Sequence, residues 1–198
     1  DGYNLEQYIQ NFGNIPENQI IRWCKQILPT LAEAHRLGIV HGLLSPKNLL
    51  ITPRGDLKIT DFKGALFESE LFPEDEDSED ILYLSPEQIQ HVGKVGAATD
   101  IYTFGVTLYS LLTGKDPYNV SNSGIDEIRI RILNDPLPFI DSYSFHINEI
   151  IQIATAKNQV DRYPDFDSML EAITGEKRVS FTQENRQTSL FEPTETES

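Results

Sequence analysis

The sequence predicts a mainly α-helical fold with one small β-hairpin. Apolar residues recur at the 3.6-residue spacing of a helix in several stretches, which indicates amphipathic helices. The stretch that follows Ala97 is apolar on nearly all sides, as is typical of a helix buried in a core. Strand signals occur in only two short runs. A length of 198 residues is enough for one domain with a sizeable core.

Two helical patterns open the chain. The first thirteen residues hold a short one, with Leu5 on its apolar side. A longer helix follows, and its apolar face runs from Ile20 to His35 at helical spacing. We expect Pro29 to bend this helix without ending it, and Gly38 to provide its C-terminal stop.

The β-hairpin is predicted next. Leu49-Leu50-Ile51 and Leu57-Lys58-Ile59 are strand-like runs, and the turn residues Pro53, Gly55 and Asp56 separate them. A polar, strongly acidic stretch then leads into the second half of the chain.

The second half of the chain is predicted to be helical. The apolar pattern that begins after Ala97 ends at Gly114. Further helical patterns cover 126–133, 145–156 and 166–173. From about residue 174 the chain is rich in Glu, Thr and Ser and poor in apolar residues, which predicts a solvated tail without a fixed structure. We therefore divide the chain into a folded domain, 1–174, and an acidic tail, 175–198.

Charge and cysteine content exclude several classes of function. A net charge of −15 argues against nucleic-acid binding and against docking on an anionic membrane, because both surfaces are bound through Lys and Arg. No apolar run approaches the roughly 20 residues that span a bilayer. The single cysteine, Cys24, fits a reducing cytoplasm and a buried position in a helix. We expect protein partners, with neither nucleic acid nor membrane insertion.

The most informative motif is the segment from His41 to Asn48. It resembles the catalytic loop of protein kinases, which reads His-Arg-Asp, four further residues, and Asn. In that loop the Asp accepts the proton of the substrate hydroxyl and the Asn holds a metal ion. This chain keeps the His and the Asn but places Gly42 at the Arg position and Leu43 at the Asp position. Leucine has no lone pair and cannot deprotonate an alcohol.

Further segments strengthen the resemblance, because they follow in the order and at the separations found in kinases. They are Asp61-Phe62-Lys63, similar to Asp-Phe-Gly; Ser85-Pro86-Glu87, similar to Ala-Pro-Glu; the buried helical stretch from Thr99 to Gly114; and Asp161-Arg162-Tyr163-Pro164, similar to the late Arg motif. The resemblance covers residues 1 to about 173 and implies the C-terminal lobe of a degenerate, bacterial-type serine/threonine protein kinase. It also implies that the N-terminal lobe is absent from this chain. The first residue is Asp1, so we expect a longer parent protein.

The resemblance assigns structural roles to five residues. His41 is expected to pack against Phe62 and to meet the carboxylate of Asp100. Asp100 should be satisfied by backbone N–H groups of the loop, since a buried carboxylate without partners is costly. Glu87 and Arg162 are expected to form a buried ion pair that holds the activation segment on the helices beneath it. None of these roles is catalytic.

Remnants of a cofactor site are assigned in the same way. Asn48 and Asp61 carry oxygen ligands that suit Mg²⁺, and Leu50 belongs to the same remnant. The alternative is that Asn48 and Asp61 only fix the loop by hydrogen bonds. We expect no cofactor in this chain, with ATP and Mg²⁺ restricted to a longer parent. Lys63 replaces the Gly of the family motif, and it either places a cation near the phosphate site or points to water.

The acidic run between Glu68 and Asp80 occupies the position of the activation segment. Such a run is either a solvated loop or a docking segment for a basic partner. An added phosphate would be repelled there, and Gly42 removes the Arg that would receive it.

Three functional hypotheses remain open. The preferred one is a pseudokinase-like domain that acts as a binding, scaffolding or regulatory module. The alternative is the C-terminal lobe of a divergent but active serine/threonine kinase with its N-terminal lobe upstream. An intermediate hypothesis is ATP binding without phosphate transfer.

Overall fold

A computed structural model describes residues 3–62, 79–92, 95–119 and 124–176. Within these ranges the α-helices are α1 Leu5–Phe12, α2 Glu17–Arg36, α3 Pro86–Gln90, α4 Ala97–Thr113, α5 Ile125–Asn134, α6 Phe145–Ala154 and α7 Phe166–Thr174. The strands are β1 Tyr3–Asn4, β2 Leu49–Ile51 and β3 Leu57–Ile59. Short 3-10 turns lie at Pro46–Asn48, Glu79–Tyr83, Pro117–Asn119 and Gln159–Asp161. The mainly helical fold class is therefore confirmed.

Helix α4 forms the centre of the core, as its all-round apolar sequence predicts. Every residue from Thr99 to Leu112 is buried. The helix ends at Gly114, whose φ of +65° is a left-handed conformation that glycine adopts readily. Gly105 brings α4 close to α6: a Cβ atom at this position would lie 2.8 Å from the Cβ of Ala154. The absence of a side chain at Gly105 therefore lets the backbone of α4 lie directly against Ala154 of α6.

Helix α2 runs unbroken through Pro29, as predicted. It ends at Arg36, and Gly38 follows two residues later with a φ of +74°. Its apolar side is buried and packs against α7 and α4. The indole N–H of Trp23 donates to the Gly55 carbonyl at 3.1 Å, which fastens the hairpin turn to this helix.

The predicted hairpin is present as β2 and β3, and it belongs to a three-stranded antiparallel sheet with the order β1-β2-β3. Leu50 pairs with Asn4 on one side and with Lys58 on the other. Strand β1 was not predicted, because two residues carry no periodicity and the opening segment reads as helical. Asn4 also caps α1, since its side chain accepts the N–H of Gln7.

Two other details differ from the sequence prediction. Helix α6 ends at Ala154, two residues before the predicted end. Helix α3 was not predicted and has only five residues. Most of the acidic run and all of the tail after residue 176 lie outside the described residues. None of the described helices combines the length and the apolarity needed to cross a bilayer.

Candidate functional site

The loop from His41 to Asn48 is shaped by helix α4 beneath it. The Asp100 carboxylate accepts the backbone N–H of His41 at 2.7 Å and that of Gly42 at 2.8 Å. Two turns further along, the Thr107 hydroxyl donates to the Leu44 carbonyl at 3.1 Å. Asp100 is fully buried, and these bonds offset the cost of its burial. The loop conformation therefore depends on backbone groups held by α4.

The His41 imidazole packs against Phe62, with ring centroids 4.8 Å apart. Its Nε2 donates to the Thr60 carbonyl at 2.9 Å, and its Nδ1 accepts the Leu43 N–H at 3.3 Å. The contact of His41 with Asp100 is made by the backbone N–H, so the expectation of a side-chain contact needs correction.

The imidazole that meets the Asp100 carboxylate belongs to His35, at 2.8 Å. His35 lies in the last turn of α2 and stacks on Phe166. Sequence reasoning placed His35 on an apolar helix face and missed this partner, because the two residues are 65 positions apart. The sequence signal for this contact was a histidine on an otherwise apolar helix face, which indicates a buried polar partner.

The two substituted positions of the loop are both buried. Gly42 has a φ of +83°, a left-handed conformation that glycine adopts without strain. The Leu43 side chain is 7% exposed and belongs to the hydrophobic core. Its carbonyl accepts the side-chain N–H of Asn48 at 2.8 Å. The Leu43 side chain therefore contributes to the core, while its backbone carbonyl ties the loop to Asn48.

Asn48 and Asp61 are joined through Thr60. The Thr60 N–H donates to the Asn48 carbonyl at 2.9 Å, and the Thr60 hydroxyl donates to the Asp61 carboxylate at 3.0 Å. Asp61 is exposed and has a φ of +57°, which is uncommon for a residue other than glycine. Leu50 is half-buried in the central strand. The described part of the chain holds no group of three or more His, Cys, Asp or Glu side chains arranged for a metal ion.

Glu87 and Arg162 form a bidentate ion pair, with two N–O distances of 2.8 Å. The Thr99 hydroxyl also donates to Glu87, at 2.9 Å. The Arg162 guanidinium donates further to three backbone carbonyls, those of Ala98, Ala156 and Lys157. Burial raises the pKa of Glu87, but the hydrogen bonds and the charge of Arg162 outweigh it, so the net pKa is lowered.

A second buried cluster lies beside this ion pair, and sequence reasoning missed it. The Lys157 amine donates to the Ile132 carbonyl at 2.6 Å and lies 3.3 Å from the Tyr118 hydroxyl and 3.4 Å from that of Tyr102. Burial lowers the pKa of Lys157 to about 8, and nearby Arg162 adds to this while Asp135 opposes it. The cluster connects α4, α5 and the loop after α6.

A cavity of about 480 Å³ lies beside the loop, between α1 and the C-terminal end of α4. Its lining includes Glu6, Ile9, Pro46, Leu82, Ser110 and Asp116. The Lys47 amine lies 3.8 Å from the Glu6 carboxylate at this side of the loop. The lining also includes Lys115, so the cavity combines apolar side chains with charges of both signs.

Comparison with known proteins agrees with this geometry. Residues 1–185 match the family model described as protein kinase domain, eleven residues beyond the domain boundary placed at 174. The chain is 33% identical over 185 residues to the serine/threonine-protein kinase PknL of Mycobacterium tuberculosis, covering 89% of this chain and 46% of PknL. It is 29% identical over 205 residues to the probable serine/threonine-protein kinase PknB of Lactococcus lactis, covering 96% of this chain and 32% of that protein. The chain thus spans less than half the length of these curated relatives, and it belongs to the protein kinase family.

Proposed function

We propose that this chain is a kinase-like lobe that does not transfer phosphate and acts as a binding or scaffolding module. The observation that carries the proposal is the buried Leu43 at the position of the catalytic Asp. A positioned base contributes typically 10²–10⁴-fold to the rate of proton transfer reactions. Leucine supplies none of that contribution.

Among the residues that the structure describes, the neighbouring groups have other partners or roles. Asp100 is engaged from three sides, by two loop N–H groups and by His35. Lys47 is a cation that faces Glu6 and has no proton-accepting role in that state. Asp61 lies in the position of the metal-binding Asp of the family motif.

A phosphate-transfer assay on the full-length protein tests the proposal. With radiolabelled ATP, Mg²⁺ and a generic basic protein substrate, we expect no transfer above the blank. Asp61→Ala is the decisive variant, and Asp126→Ala, at an exposed position of α5, is its control. Transfer that is abolished by Asp61→Ala and kept by Asp126→Ala would defeat the proposal.

Nucleotide binding is a separate question. The oxygen atoms of Asn48 and Asp61 suit Mg²⁺, which proteins usually hold through one or two carboxylates together with the nucleotide phosphates. Bound Mg²⁺ would neutralise phosphate charge, and these two residues would position it. We propose that residues 1–198 alone bind no nucleotide. A ligand at about 100 times its Kd stabilises a fold by roughly 2.7 kcal/mol, so a thermal-shift titration with ATP and Mg²⁺ would reveal binding.

We propose that the partner is a protein segment with a basic side chain, and that it enters the cavity beside the loop. The cavity is lined by apolar side chains, by the Glu6 and Asp116 carboxylates and by one lysine, Lys115, and it belongs to a chain with a net charge of −15. Peptides with Arg or Lys between apolar residues are the probe, read by fluorescence polarisation. Gln10→Trp, at an exposed position of the lining, should weaken binding at least tenfold. Asn11→Trp, the next residue of α1, is the matched control, and equal affinity of both variants would refute this site.

A cytoplasmic location is part of the same proposal, and it rests on the single buried thiol of Cys24.

A second candidate function is that of a divergent but active kinase. It is favoured by the link of Asn48 and Asp61 through Thr60, which donates to the Asn48 backbone carbonyl and to the Asp61 carboxylate. The names of the curated relatives, which are serine/threonine-protein kinases, also favour it. The transfer assay with Asp61→Ala separates the two candidates.

A further inference from the structure

A single glutamine joins the end of the activation segment to the catalytic loop. The Gln88 side chain, in α3, donates from its Nε2 to the Gly42 carbonyl at 2.8 Å. Gln88 is 2% exposed, and Gly42 is buried. The two residues are 46 positions apart, so this bond connects two separate segments of the site.

The oxygen and the nitrogen of the Gln88 side-chain amide both form hydrogen bonds. Its Oε1 accepts the Ser85 N–H at 3.0 Å and the Ser85 hydroxyl at 3.1 Å, which completes the capping box at the start of α3. A flipped amide would place N–H groups against the N–H of Ser85, so the hydrogen-bond network fixes which atom faces Gly42. The donor to the loop is therefore held in place by the helix cap.

The Gly42 residue is in turn held from two sides. Asp100 of α4 accepts its N–H, and Gln88 of α3 donates to its carbonyl. Gly42 stands where the family motif has an Arg, the residue that would receive a phosphate of the activation segment. This chain lacks that receiver, and the neutral bond from Gln88 connects the same two segments.

We propose that Gln88 is a positioning residue that fastens the end of the activation segment, residues 79–92, to the catalytic loop without any phosphate. A bond between a neutral amide and a carbonyl carries no net charge. The connection therefore persists whatever the phosphorylation state of the chain. This role does not depend on whether the chain binds a partner or transfers phosphate.

Hydrogen exchange of the full chain tests the proposal. Gln88→Glu keeps an oxygen acceptor for Ser85 but removes the donor to Gly42. We expect exchange of the amides in 41–44 and 79–92 to rise at least tenfold in this variant. Gln90→Glu, an exposed position of the same helix with the same change of charge, is the matched control and should leave exchange unchanged.

Three further comparisons make the outcome decisive. The amides of Ile150 and Ile151 in α6 report global opening, and their exchange should stay within twofold of the wild type. Gln88→Met, which keeps the size and loses all polar atoms, should reproduce the local effect. Phosphatase treatment of the wild type should change nothing. Unaltered exchange in Gln88→Glu, an equal rise in α6, or a tenfold effect of phosphatase would each overturn the proposal.

Discussion

Breaking the ion pair between Glu87 and Arg162 should have the largest effect on stability of any single polar change in the described part of the chain. The Arg162 side chain has no exposure and that of Glu87 is 7% exposed. Glu87→Gln removes the negative charge and turns an N–H group towards the guanidinium. A buried cation then remains without its counter-charge, which costs about 3–5 kcal/mol.

The reverse change should be at least as costly. Arg162→Met leaves the Glu87 carboxylate with the Thr99 hydroxyl and also removes the donor of three backbone carbonyls. Each carbonyl left without a donor costs about 1 kcal/mol or more. The double variant Glu87→Met with Arg162→Met removes both charges and leaves the three carbonyls and the Thr99 hydroxyl without these partners. Its cost should therefore be well below the sum of the two single changes.

Urea unfolding measures these free energies from the midpoint at constant m. The control is Glu176→Gln, which breaks the exposed pair of Glu176 with Lys25 and should cost at most about 1 kcal/mol. The pKa of Glu87 is lowered from its ordinary value of 4.5, so its contribution is complete above that pH and is lost as the pH falls through the folded-state pKa. The difference between wild type and Glu87→Gln should therefore shrink below pH 4.5. A difference under 0.5 kcal/mol at neutral pH, on the order of an ordinary surface substitution, would refute the reasoning.

Three further predictions concern stability and use the same urea assay. Gly42→Ala should cost about 1–2 kcal/mol because φ is +83° there, and an unchanged midpoint would contradict the assigned conformation. Gly105→Ala should cost about 1–3 kcal/mol, because the added Cβ would lie 2.8 Å from the Ala154 Cβ; a neutral result would mean that α4 and α6 separate easily. Burial lowers the pKa of Lys157 from 10.5 to about 8. Between these pH values the unfolded state keeps a proton that the folded state has lost, so the free energy of unfolding should rise with pH from about 8. Lys157→Met should remove this rise, which is measured up to pH 10. Above that pH the buried tyrosines lower the free energy of unfolding, because burial raises their pKa. An identical pH profile of the wild type and the variant would refute the assignment.

Long periodic elements of the fold could be predicted from the sequence, and short ones could not. The all-round apolar pattern identified α4 and its position in the core. Helix α3 was missed because five residues give no period. Its start nevertheless had a local signal, since Ser85, Pro86 and Gln88 form a capping box with Pro at the first helical position.

In the site, family resemblance indicated which segments meet, but not which atoms do. The pairing of Glu87 with Arg162 was implied by the resemblance itself, and the structure shows this ion pair. The partners of Asp100 were assigned only in part, since the imidazole comes from His35 and not from His41. Contacts between residues far apart in sequence, such as Gln88 with Gly42, depend on helix packing that no local pattern encodes.

Asp100 holds the loop through contacts that do not involve the Leu43 side chain. Asp100 bonds to the backbone N–H groups of His41 and Gly42, and neither bond involves the side chain at position 43. The loop shape is therefore independent of the residue that would perform the chemistry. Leu43 adds apolar burial to the core, and burial of a leucine side chain stabilises a fold by about 1.5–3 kcal/mol. A carboxylate at that position would lose this contribution, and the family fold by itself does not establish an activity.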